Sequence, residues 1–446
     1  MSNIYGVVAV TNATICDVPT TLTPAGYVER IADQEIAEAL ESAPVVVIEG
    51  AKACGKTWSG RNHACSEASF EQDEQARTQA RLLPRQFLEG PEPRLIDEWQ
   101  IVPEVWNSIR HMADEERRYG RFILTGTARP TDDGIRHSGA GRIMRIRLRP
   151  MSLFESGVST GDVSLSSLVN GEDCSADRPE LGVPEVVQEL CRGGWPEHLG
   201  LSPGLAQRRL RSYLNEIAQV DISQVSYRGR RRDAQKVSRL LVSLARNTAT
   251  AASVAKLASD TSVGSENSAA QDQRTAAAYL KDLASLFVVE DIPAWAANLR
   301  SRARLRQAPK RHFVDPSLAA AALRAGPERL LGDLKTLGFL FESLVLRDLR
   351  IYAQASEAAV WHFRDSHDNE IDAIVDWGDG RWIAVEVKLG SKDAIDEAAD
   401  TLNRVCEKVD YDLTGPPARK VVITASGYGY DRPDGVSVFP LTALTV

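Results

Sequence analysis

Residues 44–57 read Pro-Val-Val-Val-Ile-Glu-Gly-Ala-Lys-Ala-Cys-Gly-Lys-Thr. Val45 to Ile48 are four consecutive β-branched residues, the composition of a strand buried on both faces. Gly50, Gly55, Lys56 and Thr57 then complete G-x-x-x-x-G-K-[ST]. The chemistry explains the spacing. Glycines let the backbone curl around a phosphate, and the amides of the loop and of the next helix point at it. Gly50, Ala51, Lys52, Ala53, Cys54, Gly55, Lys56 and Thr57 are therefore candidate contacts to a nucleotide. Lys56 reaches the outer phosphates, and the Thr57 hydroxyl is placed to ligate Mg²⁺. ATP and Mg²⁺ are the implied ligands.

Working outward, Val28, Ile31, Ile36, Ala39 and Leu40 recur at helical spacing and predict a helix beside the first strand. Residues 1–24 show no period and read as a leader. Trp58 to Arg81 reads as mostly helical. Residues 94–100, Arg-Leu-Ile-Asp-Glu-Trp-Gln, lead apolar residues into paired carboxylates. Asp97 would hold Mg²⁺ through water, and Glu98 would direct or deprotonate the attacking water. A strand ending in a helix cap explains the same residues. Residues 121–127, Arg-Phe-Ile-Leu-Thr-Gly-Thr, predict another strand, with Thr125 or Thr127 at the γ-phosphate or the water. Arg145, Arg147 and Arg149 alternate with Ile146 and Leu148, which predicts a strand with one basic face. Arg129, Arg136 and Arg142 are candidates for a finger that stabilises transition-state charge. A finger supplied by a neighbouring copy would require a homo-oligomer.

The phosphate loop, Leu95-Ile-Asp-Glu-Trp-Gln100, Leu124-Thr-Gly-Thr127, the stretch 139–155 and Gly193-Gly-Trp-Pro-Glu197 together resemble one group of bacterial and archaeal AAA-type ATPases. That group carries a C-terminal domain of unknown function numbered 4143. The resemblance implies an α/β fold, with a P-loop ATPase core on a parallel sheet covered by helices on both faces. It implies no particular substrate.

The chain divides into a leader (1–24), an ATPase core (25–160), a helical lid and linker (161–235), a winged helix-turn-helix (236–325) and a last α/β domain (326–446). Leu240–Arg246, Ser253–Ala258 and Asp272–Leu286 supply the three helices of the fourth unit. Its wing carries Arg300, Arg302, Arg304, Arg306, Lys310 and Arg311, with no acid between Asp291 and Asp315. Arginines at period two follow a DNA backbone well, although a merely solvated wing fits the same pattern.

The last domain begins with an apolar helix, Leu337 to Tyr352, that carries Glu342. Strands follow at Val360–Arg364, Glu370–Asp376 and Trp382–Lys388. Alternation and the Gly-Asp-Gly turn at 378–380 predict a hairpin in which Glu386 and Lys388 share a face. Three carboxylates and a lysine there suit one or two divalent ions, Mg²⁺ or Mn²⁺, and a water aimed at a phosphodiester. A structural Glu386–Lys388 ion pair explains the same residues. The D…E-x-K spacing resembles the PD-(D/E)xK nucleases. That resemblance implies Glu342, Asp372 and Glu386 as metal ligands and Lys388 as the residue that positions the nucleophile. The usual Pro-Asp pair is missing, because Ile371 precedes Asp372. Beyond it, Lys420–Thr424 reads as a strand and Ser437 onward as the edge strand.

Composition sets bounds. Apolar content is 43% and net charge −8, so DNA binding would need local basic patches. No apolar run approaches the ~20 residues that span a bilayer, and no signal peptide is legible. Six scattered cysteines without a C-x-x-C pair suit reduced thiols. The expected protein is thus a cytoplasmic ATPase that engages DNA. An ATP-gated nuclease and a nucleotide-dependent protein-interaction switch, with an inactive nuclease fold, are the alternatives.

Overall fold

The computed structural model describes residues 22–71, 73–116, 118–126, 141–177, 181–225, 232–262, 270–296, 307–365, 367 and 369–446. Thr127, Arg129, Arg136 and the four wing arginines from Arg300 to Arg306 lie outside the described residues.

Five parallel strands form the first sheet: β1 (Val45–Glu49), β2 (Ser66–Ser69), β3 (Arg94–Asp97), β4 (Phe122–Gly126) and β5 (Ile143–Arg147), in the order β2-β3-β4-β1-β5. All five residues of β1 are buried, as the β-branched run requires. Successive residues serve opposite faces. Val46 and Ile48 join one apolar cluster with Ile36 and Ala39 of α1 (Ala32–Ser42). Val45 and Val47 join another with Trp106 and Ile109 of α3 (Glu104–Glu116). Helix α2 (Lys56–Asn62) starts at the end of the phosphate loop. This is the expected parallel sheet with helices on both faces. β2 departs from the helical reading of Trp58–Arg81: Ser-Glu-Ala-Ser is a half-buried edge strand with no apolar signal.

Helices α4 (Val183–Arg192) and α5 (Pro203–Glu216) follow, and Ile217–Asp221 continues as a π-helical turn. Next come α6 (Ala234–Arg246), α7 (Val254–Asp260) and α8 (Gln273–Ser285). Antiparallel bridges then join Val289 to Phe313, Ile292 to Lys310 and Thr250 to Arg311.

After α9 (Pro316–Ala322), the 22-residue α10 (Leu334–Ala355) leads into the second sheet. Its strands β7 (Ala359–Arg364), β8 (Glu370–Asp376), β9 (Trp382–Lys388), β10 (Arg419–Thr424), β11 (Tyr430–Asp431) and β12 (Val436–Pro440) take the order β11-β12-β10-β9-β8-β7. α11 (Lys392–Cys406) covers one face. Ser437 therefore lies on an inner strand, because β11 caps the edge that the sequence assigned to it. The segment read as linker is also tied down: β6 (Val163–Ser164) pairs with β13 (Leu444–Thr445). One apolar cluster runs from α1 through α5 and α10 to β9 and β10, so the expected units share a core. No described helix is long and apolar enough to cross a membrane. Cys54, Cys174, Cys191 and Cys406 are buried free thiols.

Candidate nucleotide site and C-terminal cavity

The loop between β1 and α2 is held in shape by backbone geometry. Gly55 has φ 106°, and Ala53 adopts φ 62° despite its side chain. At Gly50 a Cβ would lie 2.0 Å from the Leu148 carbonyl oxygen, so only glycine fits. Arg30 clamps the loop from behind. Its guanidinium donates to Cys54 O at 3.0 Å, to Glu155 Oε1 at 3.0 Å and to Arg149 O at 2.8 Å. Glu155, which closes the Met-Ser-Leu-Phe-Glu stretch, also accepts from Ile31 N and Ser152 N. Sequence reasoning missed Arg30, because a lone arginine before α1 carries no motif.

The chemical groups converge at the C-terminal ends of the strands, where open parallel sheets bind ligands. Lys56 is buried, and its Nζ donates to Ala51 O across the loop at 2.8 Å. Thr57 Oγ1 donates to Asp97 Oδ1 at 2.8 Å. Thr125, at the end of β4, donates to the same oxygen at 2.5 Å. Glu98 follows in a left-handed conformation, φ 52°, and accepts from Gln100. The hydroxyl of Thr57 beside the Asp97 carboxylate is an all-oxygen donor pair that fits Mg²⁺.

Arg142 does not join this group within the chain. Ile143 pairs with Val45, the first residue of β1, whereas the loop leaves from Glu49, the last. Five strand steps separate Arg142 from the level of Glu49, roughly 17 Å. It pairs with Asp114 instead. The alternating arginines from 145 to 149 are engaged by groups of the protein itself. Arg145 lies over the Trp106 ring and Arg147 over the Phe287 ring. Arg149 pairs with Glu290 at 2.7 Å.

Side chains from beyond the core reach the loop. Lys52 pairs with Asp221, in the π-helical turn, at 3.7 Å. Gly194 N donates to Asp315 Oδ2 at 3.0 Å, and Met151 N donates to Gly194 O at 2.5 Å. Asp315 and Asp348 flank Arg347 at 2.8 and 2.7 Å, all three buried. Asp348 in turn accepts from Leu153 N at 3.0 Å. Arg347 and Asp348 belong to α10, five and six residues after Glu342. One helix thus touches both the core and the C-terminal cavity.

That cavity has a volume of about 1120 Å³ and is lined by Glu342, Glu370, Asp372, Glu386, Lys388 and Lys310 among others. The structure therefore brings together Glu342, Asp372, Glu386 and Lys388, as the spacing predicts. Lys388 Nζ pairs with Glu386 Oε2 at 2.8 Å. Asp372 Oδ2 accepts from Val387 N at 3.0 Å, where β8 and β9 separate. Lys310 is the correction. Assigned to the wing as a DNA contact, it is 2% exposed and enters this cavity. Its Nζ lies 2.8 Å from Glu342, 2.7 Å from Glu370 and 3.2 Å from Asp372. Arg311 is likewise engaged, with Asp291 and Ala252 O. Burial and the Asp372 charge push Glu342 up to about 8, and Glu386 is raised to about 8 for the same reasons. Burial works against the Lys310 ammonium, but the carboxylates outweigh it and raise its pKa. Among the described residues no cluster of His, Cys, Asp and Glu is arranged to hold a metal ion.

The fold and the loop define a P-loop nucleotide-binding protein. A family model described as an AAA domain matches residues 42–156. Domains of unknown function match residues 183–329 (DUF8612) and 337–444 (DUF4143). Uncharacterised proteins of Mycobacterium bovis and Mycobacterium tuberculosis are each 27% identical over 371 residues, covering 82% of this chain and 75% of theirs. A Walker-type ATPase of Pyrococcus abyssi aligns with 69% of this chain and 99% of its own, at 15% identity and a TM-score of 0.42. The chain thus carries an AAA domain over residues 42–156 and a DUF4143 domain over residues 337–444.

Proposed function

We propose that the chain binds and hydrolyses ATP and couples the nucleotide state to an engagement with DNA in the cytoplasm. The observation that carries this reading is the meeting of Thr57 and Thr125 on one oxygen of Asp97, beside Lys56. Thr57 and Asp97 would hold Mg²⁺, which neutralises charge on the β- and γ-phosphate oxygens. Lys56 would leave Ala51 O for the phosphates, and residues 50–55 would donate their amides. Glu98 would orient and deprotonate the attacking water. Gln100 is bonded to it and would hold its direction.

The nucleotide state would be read by groups already linked to the loop. Asp221 is held by Lys52, and Pro196 borders Gly55. The buried Asp315–Arg347–Asp348 group continues from there into α10. Helices α6, α7 and α8 with the antiparallel bridges after them support a winged helix-turn-helix. α10 with the β8–β9 hairpin supports a PD-(D/E)xK-like fold. DNA contact would fall to the arginines from Arg300 to Arg306.

A second reading, a nucleotide-dependent switch that binds a protein partner, is favoured by the internal pairing of Arg147, Arg149, Lys310 and Arg311. Steady-state ATP hydrolysis with and without DNA, by wild type and Glu98→Gln, separates the two. DNA-stimulated turnover that Glu98→Gln loses while still binding ATP supports the first. Turnover indifferent to DNA moves the weight to the switch.

A further inference from the structure

We infer that Lys310 is a resident cation of the C-terminal cavity, standing where a divalent ion would otherwise bind. An ammonium has three protons, and Lys310 Nζ has three carboxylate neighbours, Glu342, Glu370 and Asp372, at 2.8, 2.7 and 3.2 Å. Two of these are the carboxylates that the D…E-x-K resemblance assigns to a metal. Divalent ions sit about 2.0–2.6 Å from their oxygen ligands. An ion bound to these oxygens would overlap the ammonium, and the charge repulsion would add to the clash.

The lysine is anchored as well as paired. Its backbone exchanges hydrogen bonds with Ile292 at 2.9 and 3.0 Å, and Arg311 N donates to Thr250 O at 2.9 Å. Its stem is buried and its backbone is paired, which together fix where the ammonium enters the cavity. Two further oxygens are engaged as well: Asp372 Oδ2 accepts from Val387 N and Glu386 Oε2 from Lys388 Nζ. The residues therefore do not fit a metal-dependent nuclease site, and the cavity holds its carboxylates together without one.

Mn²⁺ binding to the full chain without nucleotide, followed by electron paramagnetic resonance, tests this. Wild type should bind no Mn²⁺ that depends on Asp372. Lys310→Met should gain one Mn²⁺ per chain, at least tenfold tighter than wild type, and Lys310→Met/Asp372→Asn should lose it. If Lys310→Met does not fold, Lys310→Met/Glu370→Gln removes one charge of each sign from the cavity and takes its place. An Mn²⁺ bound by wild type and lost in Asp372→Asn overturns the inference. So does a folded Lys310 variant that binds no more tightly than wild type.

Discussion

Thr125 Oγ1 donates to Asp97 Oδ1 at 2.5 Å from β4, the strand that lies between Asp97 and the phosphate loop. The bond fixes the carboxylate that also accepts from Thr57. A nucleotide-dependent change at the loop thereby reaches two strands at once.

Thr125→Val keeps the shape and removes the hydroxyl. A hydrogen bond to a charged group contributes about 1.5–3 kcal/mol. If that bond positions Asp97 for the transition state, kcat should fall roughly 10- to 100-fold, with ATP affinity nearly unchanged. Hydrolysis rates beside calorimetric binding check this. Unchanged kcat would remove Thr125 from the mechanism.

Loop geometry predicts different outcomes at two positions of the phosphate loop. Gly50→Ala drives a Cβ to 2.0 Å from Leu148 O and should destabilise by at least about 1–3 kcal/mol. Ala53 sits at φ 62°, so Ala53→Gly relieves strain of roughly 1 kcal/mol against a comparable entropy cost and should be nearly neutral. Thermal unfolding of both variants decides; a neutral Gly50→Ala would contradict the geometry.

The raised carboxylates make stability pH-dependent. Glu342 and Glu386 ionise near 4.5 when unfolded but at about 8 when folded, so the native state holds more protons across that window. Their contribution is complete below pH 4.5 and is lost as pH rises through 8. Lys310 and Lys388 are raised above 10.5, outside the window. The urea midpoint should fall between pH 5.5 and 8.5, and the fall should shrink in Glu342→Gln/Glu386→Gln. A pH dependence that is the same in wild type and in the double variant would contradict the assignment.

Much of this was legible in sequence where side-chain pattern reports environment directly. β1 announces itself through β-branched residues, and β8 and β9 match their alternating stretches residue for residue. β2 was invisible because an edge strand of Ser, Glu and Ala needs no apolar face. Lys310 was misread because spacing shows that cations share a segment, not that carboxylates from α10 and β8 converge on one of them. Arg142 lies away from the loop of its own chain because the β1–β5 register places Ile143 beside Val45, which no spacing in the sequence reveals. Arg30 had no motif, and its role follows only from three acceptors distant in sequence.

The central claim is that the loop from Gly50 to Thr57 binds ATP, and a calorimetric titration of the full chain with ATP and Mg²⁺ tests it most directly. Wild type should bind one ATP per chain, and Lys56→Ala of unchanged circular dichroism should lose that binding or weaken it at least tenfold. Folded wild type that takes up no ATP, or Lys56→Ala that binds as well as wild type, would contradict it.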